Sequence, residues 1–244
     1  MDAQKEMNSE LEQIRHLSFL GRELNEAIIN FLSELPPVQS EVHPVSLQLL
    51  RTSFDMGRGL YTLLEMSPAD LAAPALALHR SQIETFLRGV YLGFLASDGQ
   101  IKDFIEKDEG IRKPTKNGKW DKISIKVLSV EVEQLINQIP ADGSKHDGKL
   151  SRMTENAWKP LSGFVHGGTA IHSVYTNHFG QIGCDLSAAS IARFVGNCFV
   201  IGNFTFAVII TKIHKSPNMQ VGDDLNQKFK NFFDLNNQIK NNLK

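Results

Sequence analysis

Apolar residues recur at intervals of three and four along most of this chain, and that spacing predicts amphipathic α-helices. The first stripe occupies residues 7–35 and stops at Pro36–Pro37, where a helix cannot continue. A second helix is predicted for residues 44–66, with two glycines weakening its middle. Helical periodicity therefore accounts for the first quarter of the chain.

A third helix is predicted to open at Ser67–Pro68, because serine can cap a helix and proline suits its first turn. Pro74 comes too late for a first-turn residue of that helix, so we expect a kink or a restart there. An otherwise apolar run then continues to Ala96. This long segment is predicted to be core.

Three charged residues interrupt that run. Arg80, Glu84 and Arg88 recur every fourth position, which places them in one row on a helix face that looks buried. Ionised groups are rarely fully buried unless they are paired or functional. The row is therefore the first candidate site.

The middle of the chain alternates helices with polar segments. A short exposed helix is predicted for residues 100–109, a basic loop for 111–122 and another helix for 123–139. The loop holds five cations around Trp120, which could contact phosphates and stack on a base, or could simply be solvated.

A further helix is predicted for residues 151–166, ending at Gly167–Gly168. It carries a second four-residue row, Trp158, Ser162 and His166. Residues 169–185 look irregular, with a possible short hairpin.

Asp185 or Ser187 is predicted to cap an apolar helix that reaches about residue 214. Residues 194–210 lack charge and approach the about 20 residues that span a bilayer. Asn197 and Asn203 favour a central bundle helix over a membrane span.

The chain ends in a seam of alternating four- and three-residue steps that begins at Leu225 and includes Asn236. This helix either docks on its own bundle or dimerises. We divide the chain into a bundle domain, residues 1–215, and this C-terminal helix within residues 216–244.

Composition narrows the functional classes. The formal net charge of -1 gives no whole-protein attraction to nucleic acid or membrane, although a local basic patch could still bind either. Cys184 and Cys198 have the spacing of neither a redox pair nor a zinc site. With a polar, charged N-terminus, the sequence predicts a cytoplasmic protein.

The two rows are predicted to face each other across antiparallel helices. Glu84 can bridge both arginines, which leaves the group with net positive charge and favours an anion. His166 lies at the predicted C-terminal end of its own helix, which favours the protonated imidazole. A histidine beside an arginine suits metal-independent phosphodiester cleavage. The other interpretation is a structural ion network.

Metal and cofactor sites are not predicted. His166, His172 and His178 recur every sixth residue, which aligns them only in an extended chain. The sequence has no phosphate-binding glycine loop, dinucleotide fingerprint or nucleophile elbow.

Two segments, HRSQIETFLRGVYLGFLAS (residues 79–97) and WKPLSGFVHGG (residues 158–168), resemble a group of uncharacterised all-helical bacterial proteins. A more distant resemblance is to the HEPN superfamily of toxin and phage-defence domains, which implies RNA cleavage by dimers. The HEPN hallmark is an arginine, then four to six intervening residues, then a histidine, and no arginine here has a histidine at that distance.

We therefore predict an all-α bundle of about six to eight helices that forms a homodimer or binds a protein partner. One hypothesis is a non-catalytic interaction or regulatory protein in bacterial stress or phage defence, with a polar cluster that is structural or binds a small anion. The other is a metal-independent, HEPN-like ribonuclease or toxin that uses His166, Arg80, Glu84 and Arg88, with RNA as its partner.

Overall fold

The computed structural model describes residues 2–37, 42–107, 110–114, 117, 119–139, 148–166, 174–175, 186–216 and 219–242. Within them are eight α-helices and one two-stranded hairpin: α1 (Asp2–Glu34), α2 (Pro44–Met66), α3 (Ala72–Phe94), α4 (Asp98–Lys107), β1 (Arg112–Pro114), β2 (Trp120–Lys122), α5 (Ile125–Ile136), α6 (Lys149–Val165), α7 (Ala188–Val208) and α8 (Asp223–Asn242). A π-helical turn, Ile209–Ile213, continues α7. The predicted all-α bundle is confirmed.

Local capping explains several helix starts. His43 precedes α2, where its Nδ1 accepts a hydrogen bond from the backbone of Val45 at 3.2 Å, and proline occupies the first turn. Ser124 and Ser187 cap α5 and α7, each accepting from a backbone N–H at 3.3 Å. Of the two caps considered for α7, the structure uses Ser187.

The start of α3 differs from the expected helix start at residue 67. Ser67 Oγ accepts a 3.4 Å hydrogen bond from Asp70 N and holds a separate turn, after which α3 begins at Ala72. Pro74 therefore falls in the first turn of α3, where no backbone N–H is required inside the helix. The predicted restart is present.

The segment predicted as a basic loop contains an antiparallel hairpin instead. Lys113 of β1 pairs with Asp121 of β2, and the next pairing bond runs from Ile123 N to the carbonyl oxygen of Ile111 at 2.8 Å. Lys113 Nζ also lies 2.5 Å from a carboxylate oxygen of Glu131 on α5. This tertiary anchor is not encoded in local periodicity.

Two apolar clusters form the core, and α2, α3 and α7 contribute to both. One also includes α5 and α6, whereas the other includes α1 and α8. By length and composition alone, Ala188–Ile213 is apolar enough to cross a membrane. In this fold, however, Ile191, Val195, Ile201 and Val208 are buried against neighbouring helices.

The C-terminal helix α8 packs against α1 and α7. Leu225, Phe232, Asn236 and Ile239 of the predicted seam are buried. The predicted irregular segment, residues 169–185, lies outside the described residues apart from a helical turn at 174–175.

Candidate functional site

The charged row on α3 forms a chain of ion pairs. Glu84 lies between the two arginines: its Oε2 is 3.7 Å from Arg80 Nη1, and its Oε1 contacts Arg88 Nη2. Both pairs have i, i+4 spacing, so one helical turn separates each charge from the next. With one carboxylate and two guanidinium groups, the row carries a formal charge of +1.

The row lies beside the core rather than inside it. The side chains of Arg80, Glu84 and Arg88 are 14%, 20% and 25% exposed, which corrects the expectation of a buried face. The face of α3 that is buried carries Ile83, Phe86 and other apolar residues instead. Long charged side chains can cover apolar surface with their stems while their heads reach solvent.

Helix α6 brings Trp158 and His166 to Arg80. The Arg80 guanidinium carbon lies 4.5 Å from the centre of the Trp158 ring, a cation–π contact. Arg80 Nη2 lies 3.4 Å from Nε2 of His166, which is exposed at the end of α6. Ser162 lies one turn earlier, and its backbone carbonyl accepts from His166 N at 3.1 Å. The predicted facing of the two rows is therefore present at Arg80.

Arg80 has more N–H donors than the described residues around it have acceptors within hydrogen-bonding distance. A guanidinium has five N–H groups, yet only His166 lies within hydrogen-bonding distance of it. Its Nε is buried and has no hydrogen-bond partner. The Glu84 oxygen at 3.7 Å supplies charge, but it is too distant for a good hydrogen bond. Arg80 can therefore donate to a further acceptor.

The N-terminal end of α6 is held by a carboxylate of α5. Buried Glu133 accepts hydrogen bonds from the backbone N–H of Leu150 at 2.8 Å and from Ser151 Oγ at 2.7 Å. A carboxylate at this position satisfies unpaired amides and complements the helix dipole. Sequence reasoning missed this contact because Glu133 caps a helix other than its own. The contact between Glu133 and the start of α6 helps to position the helix that carries Trp158 and His166.

The opposite side of α3 holds a second polar group that sequence reasoning missed. His79 is fully buried, and its Nδ1 lies 3.0 Å from Oε1 of Gln82. Gln82 in turn donates from Nε2 to the carbonyl of Cys198 at 3.2 Å. Burial lowers the pKa of His79 to about 4 and raises that of the Cys198 thiol to about 12, so both are neutral near pH 7. This group ties α3 to α7.

Trp120 belongs to a different surface. It is 52% exposed on β2, and the described residues show no contact between it and the Arg80 cluster, which consists of Arg80, Glu84, Arg88, Trp158 and His166. Lys113, one of the cations of that segment, is held by Glu131 and lies 5.3 Å from the Tyr91 ring centre. The hairpin and the Arg80 cluster are therefore two separate features.

A groove of about 350 Å³ between α1 and α8 is lined by four carboxylates and one lysine, and two of the carboxylates form ion pairs. Of its lining residues, Glu23 contacts Arg22 and Lys228, and Glu26 contacts Arg22. Within the described residues, no group of three or more histidines, cysteines and carboxylates is arranged to hold a metal ion. His172 and His178 lie outside those residues.

Fold and site together define an all-helical bundle with a half-buried cationic cluster between two of its helices. Residues 50–234 match a family described as a family of unknown function, DUF6988, and the chain belongs to that family. The match covers the helices that build the cluster. No curated protein and no solved structure matches the chain. The comparisons show no link to the HEPN superfamily.

Proposed function

We propose that this protein is a non-catalytic interaction or regulatory protein whose Arg80 cluster binds an anionic ligand. The cluster is defined as Arg80, Glu84, Arg88, Trp158 and His166. The observation that carries the proposal is the guanidinium of Arg80, which has His166 as its single hydrogen-bond contact among the described residues and lies in a row of net positive charge. The bacterial stress or defence setting rests on the sequence resemblance alone.

The charge balance of the cluster supports an anion. Glu84 neutralises one of the two arginines, so a net positive charge remains even with a neutral His166. The Arg80 guanidinium carbon lies over the Trp158 ring, a contact that supplies no oxygen or nitrogen acceptor to the guanidinium N–H groups. A planar edge of parallel donors suits the oxygens of a phosphate or a carboxylate.

A structural ion network alone explains less of this geometry. An unpaired buried donor such as Arg80 Nε costs about 1–3 kcal/mol, and Arg15 Nε on α1 also lacks a partner although Arg15 pairs with Glu12. Glu84 is placed closer to Arg88 than to Arg80, which leaves the less exposed arginine with the weaker ion pair. An anion beside the Arg80 guanidinium would complement that weaker ion pair.

The test replaces Arg80 by lysine, which keeps the positive charge but removes the planar donor edge. Titration calorimetry with inorganic phosphate is expected to show about a tenfold loss of affinity in Arg80→Lys, equivalent to one charged hydrogen bond. Arg15→Lys is the matched control, because Arg15 on α1 also has a buried Nε without a partner and pairs with Glu12 at 2.6 Å, but has no contact with Trp158 or His166 among the described residues. Equal affinities in all three proteins would reject the site.

The alternative function is a metal-independent ribonuclease. It is favoured by one observation, the 3.4 Å approach of Arg80 Nη2 to His166 Nε2, because histidine can transfer protons while arginine stabilises charge on phosphorus. Incubation of RNA with the purified protein and a chelator tests it. Cleavage that is lost in folded His166→Ala and Arg80→Lys would establish the enzyme, whereas intact RNA with the wild type would eliminate it.

A further inference from the structure

The β1–β2 hairpin turns one of its two faces towards the bundle. Residues directly opposite each other in an antiparallel pair share a face, and successive pairs alternate between the faces. Lys113 and Asp121 form the middle pair. Lys113 Nζ lies 2.5 Å from a carboxylate oxygen of Glu131 and 5.3 Å from the centre of the Tyr91 ring, so this pair belongs to the inner face. The two flanking pairs therefore share the outer face.

The outer face combines an aromatic ring with two cations. Arg112 lies opposite Lys122, and Pro114 lies opposite Trp120. All four residues are exposed, and 52% of Trp120 is accessible to solvent. Like charges directly opposite each other repel, so an anion that binds between them is attracted by both. Alternate residues of a strand are about 7 Å apart, which places the indole ring next to the cation pair.

Contacts with the bundle hold the outer face in place. Besides the ion pair on the inner face, Gln100 Nε2 donates to the carbonyl oxygen of Arg112 at 2.5 Å. At the base of the hairpin, the backbone N–H of Ile123 donates to the carbonyl oxygen of Ile111 at 2.8 Å, and both isoleucines are buried. A binding surface that is ordered in advance loses less conformational entropy when a ligand binds.

The surroundings of the outer face carry net positive charge. The two strands and Lys119 hold four cations against the carboxylates of Asp121 and Glu131, which leaves a formal charge of +2. Asp121 belongs to the inner face, and Glu131 is engaged by Lys113. On α4, whose Gln100 contacts β1, two carboxylates pair with lysines of the same helix. A chain of phosphates therefore meets more attraction than repulsion here.

We propose that the outer face of the hairpin, defined as Arg112, Pro114, Trp120 and Lys122, binds single-stranded nucleic acid. Each nucleotide joins a phosphate to a flat base, and proteins that bind single strands combine cations for the backbone with aromatic rings for the bases. An acidic peptide would use the cations but would leave the ring without a stacking partner. The outer face is separate from the Arg80 cluster, so its ligand does not depend on the anion proposed there.

The test of stacking is fluorescence anisotropy with a labelled oligothymidylate of about twelve nucleotides, compared with a duplex of the same length. Trp120→Leu is expected to weaken single-strand binding about fivefold or more, because the stacking of one base is lost. Duplex binding should not change, since the bases of a duplex stack on each other. Trp120→Phe should restore most of the affinity. Phe233→Leu is the matched control, because Phe233 is 53% exposed on α8.

The test of charge is the salt dependence of the same binding. For single strands, the logarithm of affinity falls with the logarithm of salt concentration by about 0.7 per phosphate contact, so Lys122→Gln should reduce the slope by about 0.7. Lys230→Gln removes an exposed lysine from α8 and should leave the slope unchanged. Equal free energies of unfolding in urea show that each variant is folded.

The proposal is overturned if the oligothymidylate does not bind, or if folded Trp120→Leu binds it as tightly as the wild type. It is also overturned if Trp120→Leu weakens duplex binding by the same factor. Binding that depends on Trp120 but occurs only on vesicles of phosphatidylcholine and phosphatidylserine would assign the outer face to a lipid surface instead. None of these results changes the phosphate titration at Arg80, so the two proposals fail separately.

Discussion

The fully buried His79 predicts a defined loss of stability in mild acid. Its Nδ1 is hydrogen-bonded to Gln82, the ring meets Phe194 edge to face at 6.1 Å, and Nε2 has no partner among the described residues. A second ring proton would therefore create a buried cation with an unsatisfied donor. The folded state therefore favours the neutral imidazole of His79.

The direction and the size of this stability change follow from the pKa values of His79 in the unfolded and folded states. Burial lowers the pKa of His79 from 6.5 to about 4 in the folded state, so the unfolded chain binds more protons between these values. The contribution of neutral His79 to the free energy of unfolding is therefore fully present above pH 6.5 and is lost as the pH falls towards 4. The whole shift corresponds to about 3 kcal/mol, of which about 2 kcal/mol is lost by pH 5.

The measurement is equilibrium unfolding in urea between pH 7.5 and pH 5 for the wild type and His79→Gln. Glutamine keeps a donor for Gln82 but does not titrate. Other titrating groups are common to both proteins, so the difference in unfolding free energy isolates His79. We expect that difference to change by about 2 kcal/mol over this range, in favour of the variant at low pH.

His214→Gln serves as the comparison. Burial also lowers the pKa of His214, but this residue is only partly buried at the end of α7, so its variant should retain most of the wild-type pH dependence. If wild type and His79→Gln differ by the same free energy at pH 7.5 and pH 5, His79 is not the buried neutral group described here.

Four further substitutions test the site, its support and the packing of the bundle. Glu84→Gln should raise the phosphate affinity measured by calorimetry about fivefold, because it removes a carboxylate that repels the bound anion. At a separation of about 5 Å in a solvent-like dielectric, this repulsion is worth roughly 1 kcal/mol. Unchanged affinity would show that Glu84 does not oppose anion binding. Glu133→Gln should lower the free energy of unfolding in urea by about 2 kcal/mol, since the charged cap of α6 is lost, and a negligible change would show that the cap is dispensable. Gly21→Ala should lower the free energy of unfolding by about 2 kcal/mol, because the new Cβ would lie 2.5 Å from the buried Tyr61 ring. Gly202→Ala should raise it by about 0.5 kcal/mol, because its Cβ meets nothing within 4 Å. Similar melting temperatures for the two variants would refute this contrast.

The local pattern of the sequence was sufficient to predict the helices and the two rows of polar side chains on α3 and α6. The i, i+4 spacing of Arg80, Glu84 and Arg88 depends only on helical geometry, and the structure contains both ion pairs. Position along the chain also marked Trp158 and His166 as a row of their own. Their functional role stays a prediction.

Other features could not be derived from periodicity. His79 and Gln82 lie within the same run as Arg80, but their link to Cys198 crosses 116 positions of sequence separation. Glu133 satisfies amides of a helix that begins sixteen residues later, and Lys113 turns an expected loop into an anchored hairpin. Each of these contacts joins segments whose separation in space is unknown until the helices pack.

The sequence by itself determined an all-α chain and a helix bearing a row with net positive charge, because helix periodicity and side-chain charge are local properties. Only the tertiary structure decided that this row lies beside the core, that the Arg80 guanidinium lies over the Trp158 ring, and that His166 faces a guanidinium with an unpaired buried N–H. The physical reason is that donor satisfaction depends on which atoms from distant segments come within about 3 Å, and packing of the whole bundle sets those distances.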